Sequence, residues 1–166
     1  MKFFMVREFI QQMSNEKIYK DGIHEEYHPN GLLKLRVSYE KGNRVGLREG
    51  YHDNGLLWFT GNYEFGKEDG PWETYYKNGE LRSRGVFKNG NQDGLWMGYH
   101  ENSHLRYQGN FKTGKEDGLW EYFHQNGRLK LKVNYKDGKQ NGLWEEYDQN
   151  GQLNSKRNYK EGEWIK

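Results

Sequence analysis

The sequence predicts an all-β fold: an elongated, twisted antiparallel meander of six 24-residue β-hairpins, with a short N-terminal helix as its cap. Three observations predict it. Glycines recur at Gly22, Gly46, Gly70, Gly94, Gly118 and Gly142, each 24 residues from the last. Asn30, Asn54, Asn78, Asn102, Asn126 and Asn150 keep the same step, and glycine follows each of them except Asn102, where Ser103 stands. Around these marks apolar and polar residues alternate, the period-2 signature of a half-buried strand. An internal period of this length, six copies without an insertion, is the mark of a repeat array in which each unit rests on its neighbours.

Taken from the N-terminus, the first element is the segment 1–20. Phe3, Val6, Ile10 and Met13 recur at helical spacing, so residues 2–14 read as an amphipathic helix. A packed cap over the first hairpin is its simplest role, with a partner-binding or membrane-surface helix as the alternative. The opening "MKFFMVREFIQQM" begins like a secretion signal, but Arg7, Glu8, Gln11 and Gln12 interrupt it and no small-residue cleavage site follows. The expectation is mature, cytoplasmic sequence.

The second element is the array, residues 21–166, with copies starting at Gly22, Gly46, Gly70, Gly94, Gly118 and Gly142. Asn-Gly between two alternating segments is a strong hairpin signal, because a two-residue loop needs positive φ at both positions. With Asn78–Gly79 as that loop, Lys77 faces Glu80, Tyr76 faces Leu81, Tyr75 faces Arg82, Glu73 faces Arg84 and Trp72 faces Gly85. One side then carries Trp72, Tyr76, Leu81, Gly85 and Phe87, the other Glu73, Tyr75, Arg82 and Arg84. The same register sets Glu25 against Arg36, Glu121 against Lys132 and Glu145 against Lys156, all favourable cross-strand pairs. It also sets Trp72 and Trp96 opposite Gly85 and Gly109, where a ring can cover bare backbone. Turns of the "YEFGKEDG" type join successive hairpins, and twelve or so strands about 4.8 Å apart make a ribbon on the order of 60 Å long.

Composition narrows the function. With 30% charged residues and no apolar run long enough to cross a bilayer, the chain does not read as a membrane protein. Aromatics at 16% argue for a folded chain, and the absence of cysteine removes disulfides, thiolate metal sites and a Cys nucleophile. Twenty-six basic against 24 acidic residues is too even a balance for a dedicated nucleic-acid binder, so no nucleic acid is expected.

No constellation points to catalysis or to a cofactor. His28, His52, His100 and His124 form one column with Tyr76 and Asp148, but its members stand about two strand spacings apart, while zinc ligands lie about 2 Å from one ion. The column reads as structural, and no metal site is expected. Glu68–Asp69 and Glu116–Asp117 lack the spacing of calcium loops and read as turn residues. The glycines serve turns, not a phosphate loop, and no Ser or Thr stands in a nucleophile elbow. Tyr27, Tyr75, Tyr99 and Phe123 facing Lys34, Arg82, Arg106 and Lys130 read as an internal ring-and-cation ladder. That ladder could also touch anionic headgroups.

Positions that break a repeat are those the shared architecture does not explain. Trp58 stands where other copies mostly carry Lys or Arg, and Thr60 removes the partner of Glu49. Met97 opposite Gln108 breaks the fourth copy in the same way. Alternation assigns these positions to the polar face and yields a candidate partner-binding patch of Tyr51, Trp58, Tyr75, Met97 and Tyr99, with a second protein or self-association as the occupant and drift as the alternative.

The segments "GNYEFGKEDGPW" and "GNFKTGKEDGLWEYFHQNG" resemble MORN repeats, in the bacterial variant where Trp follows the "GKxDG" turn, over residues 20–165. His24 and Arg48 depart from it, standing where later copies have Trp. The resemblance implies an elongated all-β fold, an interaction role and no catalytic residue. Chains of this pattern are grouped as YwqK-type antitoxin components, which implies a toxin as the protein partner. Other MORN proteins act as scaffolds or are proposed to bind phospholipid, so attachment to an anionic membrane surface is the alternative.

Overall fold

The structure is a computed structural model and describes residues 19–166. The helix expected over residues 2–14 lies outside the described residues. Thirteen strands follow in order: β1 (Gly22–Tyr27), β2 (Leu33–Glu40), β3 (Asn43–Tyr51), β4 (Leu57–Glu64), β5 (Lys67–Tyr75), β6 (Leu81–Lys88), β7 (Asn91–Tyr99), β8 (Leu105–Lys112), β9 (Lys115–Phe123), β10 (Leu129–Lys136), β11 (Lys139–Tyr147), β12 (Leu153–Lys160) and β13 (Glu163–Ile165). Each pairs antiparallel with the next in one open sheet whose order is the order of the chain. The all-β meander is as expected. β13 is added to it, a short edge strand that pairs Trp164 with Tyr159.

The turns divide their work differently from the expectation. The two-residue loops with positive φ at both positions are the junctions between hairpins, such as Phe65–Gly66 (φ 48° and 80°), across which Glu64 pairs with Lys67. At the Asn-Gly pair only the glycine has positive φ. There the chain forms a three-residue loop: Gly79 N–H donates to Tyr76 O at 2.9 Å, and Tyr76 N–H donates to Glu80 O at 2.8 Å. Asn78 Oδ1 accepts the Glu80 N–H at 3.0 Å, and this side-chain turn, repeated at Asn30, Asn54, Asn102 and Asn126, holds the asparagine out of the left-handed region.

A loop one residue longer slips the register by one, and a bulge restores it. Tyr75 therefore pairs with Leu81, not Arg82, and Tyr76 does not pair with Leu81. Arg82 is the extra residue, and Thr74 with Ser83, Glu73 with Arg84 and Trp72 with Gly85 follow in the expected register. The other copies behave alike: Tyr27, Tyr51, Tyr99 and Phe123 pair with Leu33, Leu57, Leu105 and Leu129, leaving Lys34, Trp58, Arg106 and Lys130 unpaired in bulges. The expected pairings Glu25–Arg36, Glu121–Lys132 and Glu145–Lys156 are all present. Between hairpins a wider bulge sets Asp69, Gly70 and Pro71 against Asn62. Gly70 lies there at φ 104°, which a side chain would strain, and this accounts for the glycine that opens each copy after the first.

One face of the sheet carries the apolar packing. Val37, Tyr39, Phe59, Tyr63, Trp96, Trp120 and Val133 are buried. From Phe59 the rings of Trp72, Phe87, Trp96, Phe111, Trp120 and Tyr135 contact one another in sequence at centroid distances of 4.9 to 6.3 Å, mostly edge to face. Trp72, Trp96 and Trp120 do each cover a glycine, but the one on the strand before it. A Cβ on Gly61 would meet Trp72 at 1.8 Å, one on Gly85 would meet Trp96 at 2.2 Å, and one on Gly109 would meet Trp120 at 2.1 Å. The indole N–H explains the lean: Trp96 donates to Val86 O and Trp120 to Asn110 O, each at 3.1 Å and on the preceding strand.

Candidate functional site

Successive hairpins are tied along the loop edge by side chains that repeat. Asn30, Asn54, Asn102 and Asn126 each donate from Nδ2 to a carbonyl 23 residues on, at 2.6 to 2.9 Å. His28, His52, His100 and His124 do the same from Nε2, to Tyr51 O, Tyr75 O, Phe123 O and Tyr147 O at 2.9 to 3.1 Å. A carbonyl can only accept, so the ring proton sits on Nε2. In the third copy the Tyr76 hydroxyl takes the place and donates to Tyr99 O at 2.7 Å. In the last copy Asp148 accepts the N–H groups of Asn150 and Gln152 instead. Among the described residues no group of three or more metal-ligating side chains is assembled.

The face opposite the tryptophans is a ladder of ion pairs. Glu25 meets Arg36 at 2.9 Å, Arg36 reaches Glu49 at 3.6 Å, Glu145 meets Lys156 at 3.0 Å and Glu121 meets Lys132 at 4.0 Å. Tyrosine hydroxyls cap the carboxylates two residues before them: Tyr27 on Glu25, Tyr75 on Glu73 and Tyr147 on Glu145. The Tyr27 hydroxyl and then Arg36 hold Glu25 below the usual carboxylate range, and Lys156 does the same for Glu145. Burial, then the Glu73 bond, pushes the Tyr75 phenol up to about 12. Register sets Glu73 opposite Arg84, but the guanidinium turns to Met97 Sδ at 3.7 Å.

The five candidate residues divide between the two faces, with Tyr51 also lining the groove that Trp58 borders. Tyr51, Tyr75, Met97 and Tyr99 lie on the ion-pair face, where Met97 Sδ also accepts the Tyr99 hydroxyl at 3.7 Å. Trp58 occupies the bulge, and with alternation broken there its ring rests on Phe59, centroids 5.2 Å apart, and lines grooves of the apolar face. Strict period-2 counting cannot see this, because the extra bulge residue resets which side the next side chain takes.

Trp58 is 47% exposed and stands between two grooves. The larger, about 610 Å³, is floored by Leu35, Phe59 and Arg48 and rimmed by His28, His52, Lys34, Glu26, Lys77 and Asp53. The other, about 360 Å³, lies beyond it and includes Trp72, Tyr107, Arg82 and Arg106. Arg48 is the functional candidate that the pattern did not single out. Its guanidinium lies over Phe59 at 5.1 Å and Tyr63 at 5.8 Å, and its Nη1 donates to the Tyr63 hydroxyl at 3.2 Å. The signal was present as a residue standing out of type in the tryptophan column.

A family model described as MORN repeat variant matches residues 20–41, 68–89, 92–113, 116–137 and 140–161, more than half of the chain. The stretch 42–67, which holds Arg48 and Trp58, falls between the first two matches. No curated protein matches the chain.

Proposed function

We propose that this chain, which belongs to the MORN repeat variant family, is a non-enzymatic interaction module whose partner is a soluble protein engaged at the second hairpin. The observation that carries this reading is Trp58, a half-exposed tryptophan at the wall of an open groove, where five other copies place Lys34, Arg82, Arg106, Lys130 and Asn154. A large ring left exposed beside a groove contributes much more to association than to folding. The specific version is an antitoxin of the YwqK type acting in a bacterial cytoplasm and masking a toxin. A tagged pull-down from the soluble lysate of the source cell, with Trp58→Ala alongside, tests it. One stoichiometric partner lost with Trp58→Ala is the expected result, and a partner held equally by both proteins overturns the site.

The second reading is a scaffold on an anionic membrane surface. Lys34, Arg82, Arg106 and Lys130, one cation per copy in the bulges of four hairpins, favour it. Pelleting with phosphatidylserine vesicles that falls steeply with salt, together with an empty pull-down, would select it over the first.

A further inference from the structure

The groove at Arg48 exists because one residue departs from its column. Trp72, Trp96 and Trp120 close the apolar face by lying on the glycines of the preceding strands. Arg48 holds the equivalent place in β3, pairing with Gly61 as Trp72 pairs with Gly85. Among the described residues its guanidinium makes one hydrogen bond, to Tyr63, while its Nε is buried without a partner. Among the described residues no carboxylate lies within ion-pair distance of it. One counter-charge is relayed, since the Tyr63 hydroxyl donates to Glu68 Oε1 at 2.7 Å.

The other charges around the groove are already matched. Lys77 holds Asp53 at 2.7 Å and keeps its carboxyl below the usual range, and Lys34 stands 3.9 Å from Glu26. His28 and His52 have Nε2 committed to carbonyls. Arg48 is the formal charge left over, on an aromatic floor where a guanidinium is weakly hydrated and its planar fork suits a carboxylate. Past Trp58 the second groove includes Arg82 and Arg106, and among the described residues no acidic side chain lines it. Two grooves on either side of one tryptophan, both with cations to spare, suit a stretch of extended chain better than a compact small molecule.

We infer that the paired grooves receive an acidic, aromatic-bearing segment of a protein partner, with one carboxylate seated on Arg48 and an adjacent ring against Trp58. This rests on the interaction-module reading and names the chemistry of its partner.

The test uses the full chain and two blocked peptides, acetyl-Phe-Glu-Phe-Glu-Phe-amide and its glutamine counterpart. Titration is followed by the ¹H–¹⁵N signals of the Arg48 side chain and the Trp58 indole. Saturable shifts of both signals by the glutamate peptide are expected, with binding about tenfold weaker for the glutamine peptide. Arg48→Trp, which installs the residue of the later copies, should bind about tenfold more weakly as well. That variant should fold, since Trp144 already fills the column beside a branched neighbour, Val133. Equal binding of both peptides, or unaltered binding by Arg48→Trp, overturns the inference. So does vesicle binding that the glutamate peptide fails to displace. A native partner lost with Trp58→Ala but retained by Arg48→Trp would leave the module standing and overturn the carboxylate seat alone.

Discussion

The second hairpin and the three that follow it solve one packing problem in opposite ways. In β5 to β10 a tryptophan from each hairpin lies on a glycine and touches the aromatic rings on either side, so the row of rings is continuous and only the smaller groove beside Trp72 and Tyr107 opens there. In β3 and β4 the corresponding place holds Arg48, the bulge holds Trp58 instead of a cation, and a groove of about 610 Å³ opens. A repeat array thus acquires a site by subtraction. The closed copies supply the stability that lets one copy leave its face unfinished.

The largest effect that would sharpen this contrast is at a covered glycine. Gly85→Val puts a side chain into the Trp96 ring, where even a Cβ would sit 2.2 Å away, and should cost about 3 kcal/mol in urea unfolding. An effect below about 1 kcal/mol would mean that the tryptophans do not close the face. Next comes the loop edge. Asn126→Ala removes both the bond from Arg128 N–H and the bond to Gln149 O, and should cost about 1.5 kcal/mol by the same measurement.

The second hairpin should respond in the other direction. Phe65 is 81% exposed and held at φ 48°, in a turn where other copies place residues such as Asn89 and Asp137. Phe65→Asn should raise stability by about 1 kcal/mol, read as a higher Tm, and a lower Tm would show that the ring has a packing role. The smallest effect is at high pH. A Tyr75 phenol raised from 10 to about 12 favours the fold in its protonated form. Its contribution is complete below pH 10 and is lost as pH rises toward about 12. Tyr75→Phe should flatten that part of the stability profile, and an unchanged profile would show that burial and the Glu73 bond do not hold the phenol protonated.

Much of the fold was legible because a period of 24 residues tests its own register. Glu25 with Arg36 and Glu145 with Lys156 each had to agree, and they did. The loop chemistry was not legible. Asn-Gly and Phe-Gly both announce turns, and which of the two takes the double positive φ depends on whether the asparagine side chain finds a backbone donor two residues ahead. Here Asn54 Oδ1 meets Leu56 N–H at 3.1 Å, so the longer loop forms and the register slips. That slip turned Trp58 from the face of Tyr75, Met97 and Tyr99 toward a groove that Tyr51 also lines.

Periodicity and composition were enough to specify repeated antiparallel hairpins with one apolar and one ion-paired face, because alternation and charge pairing are local properties that neighbouring strands read directly. The direction in which each tryptophan leans, the carbonyl each histidine reaches and the groove at Arg48 belong to the assembled sheet. They depend on contacts between residues of different hairpins, as with His28 and Tyr51, and those distances exist only once the hairpins stand side by side.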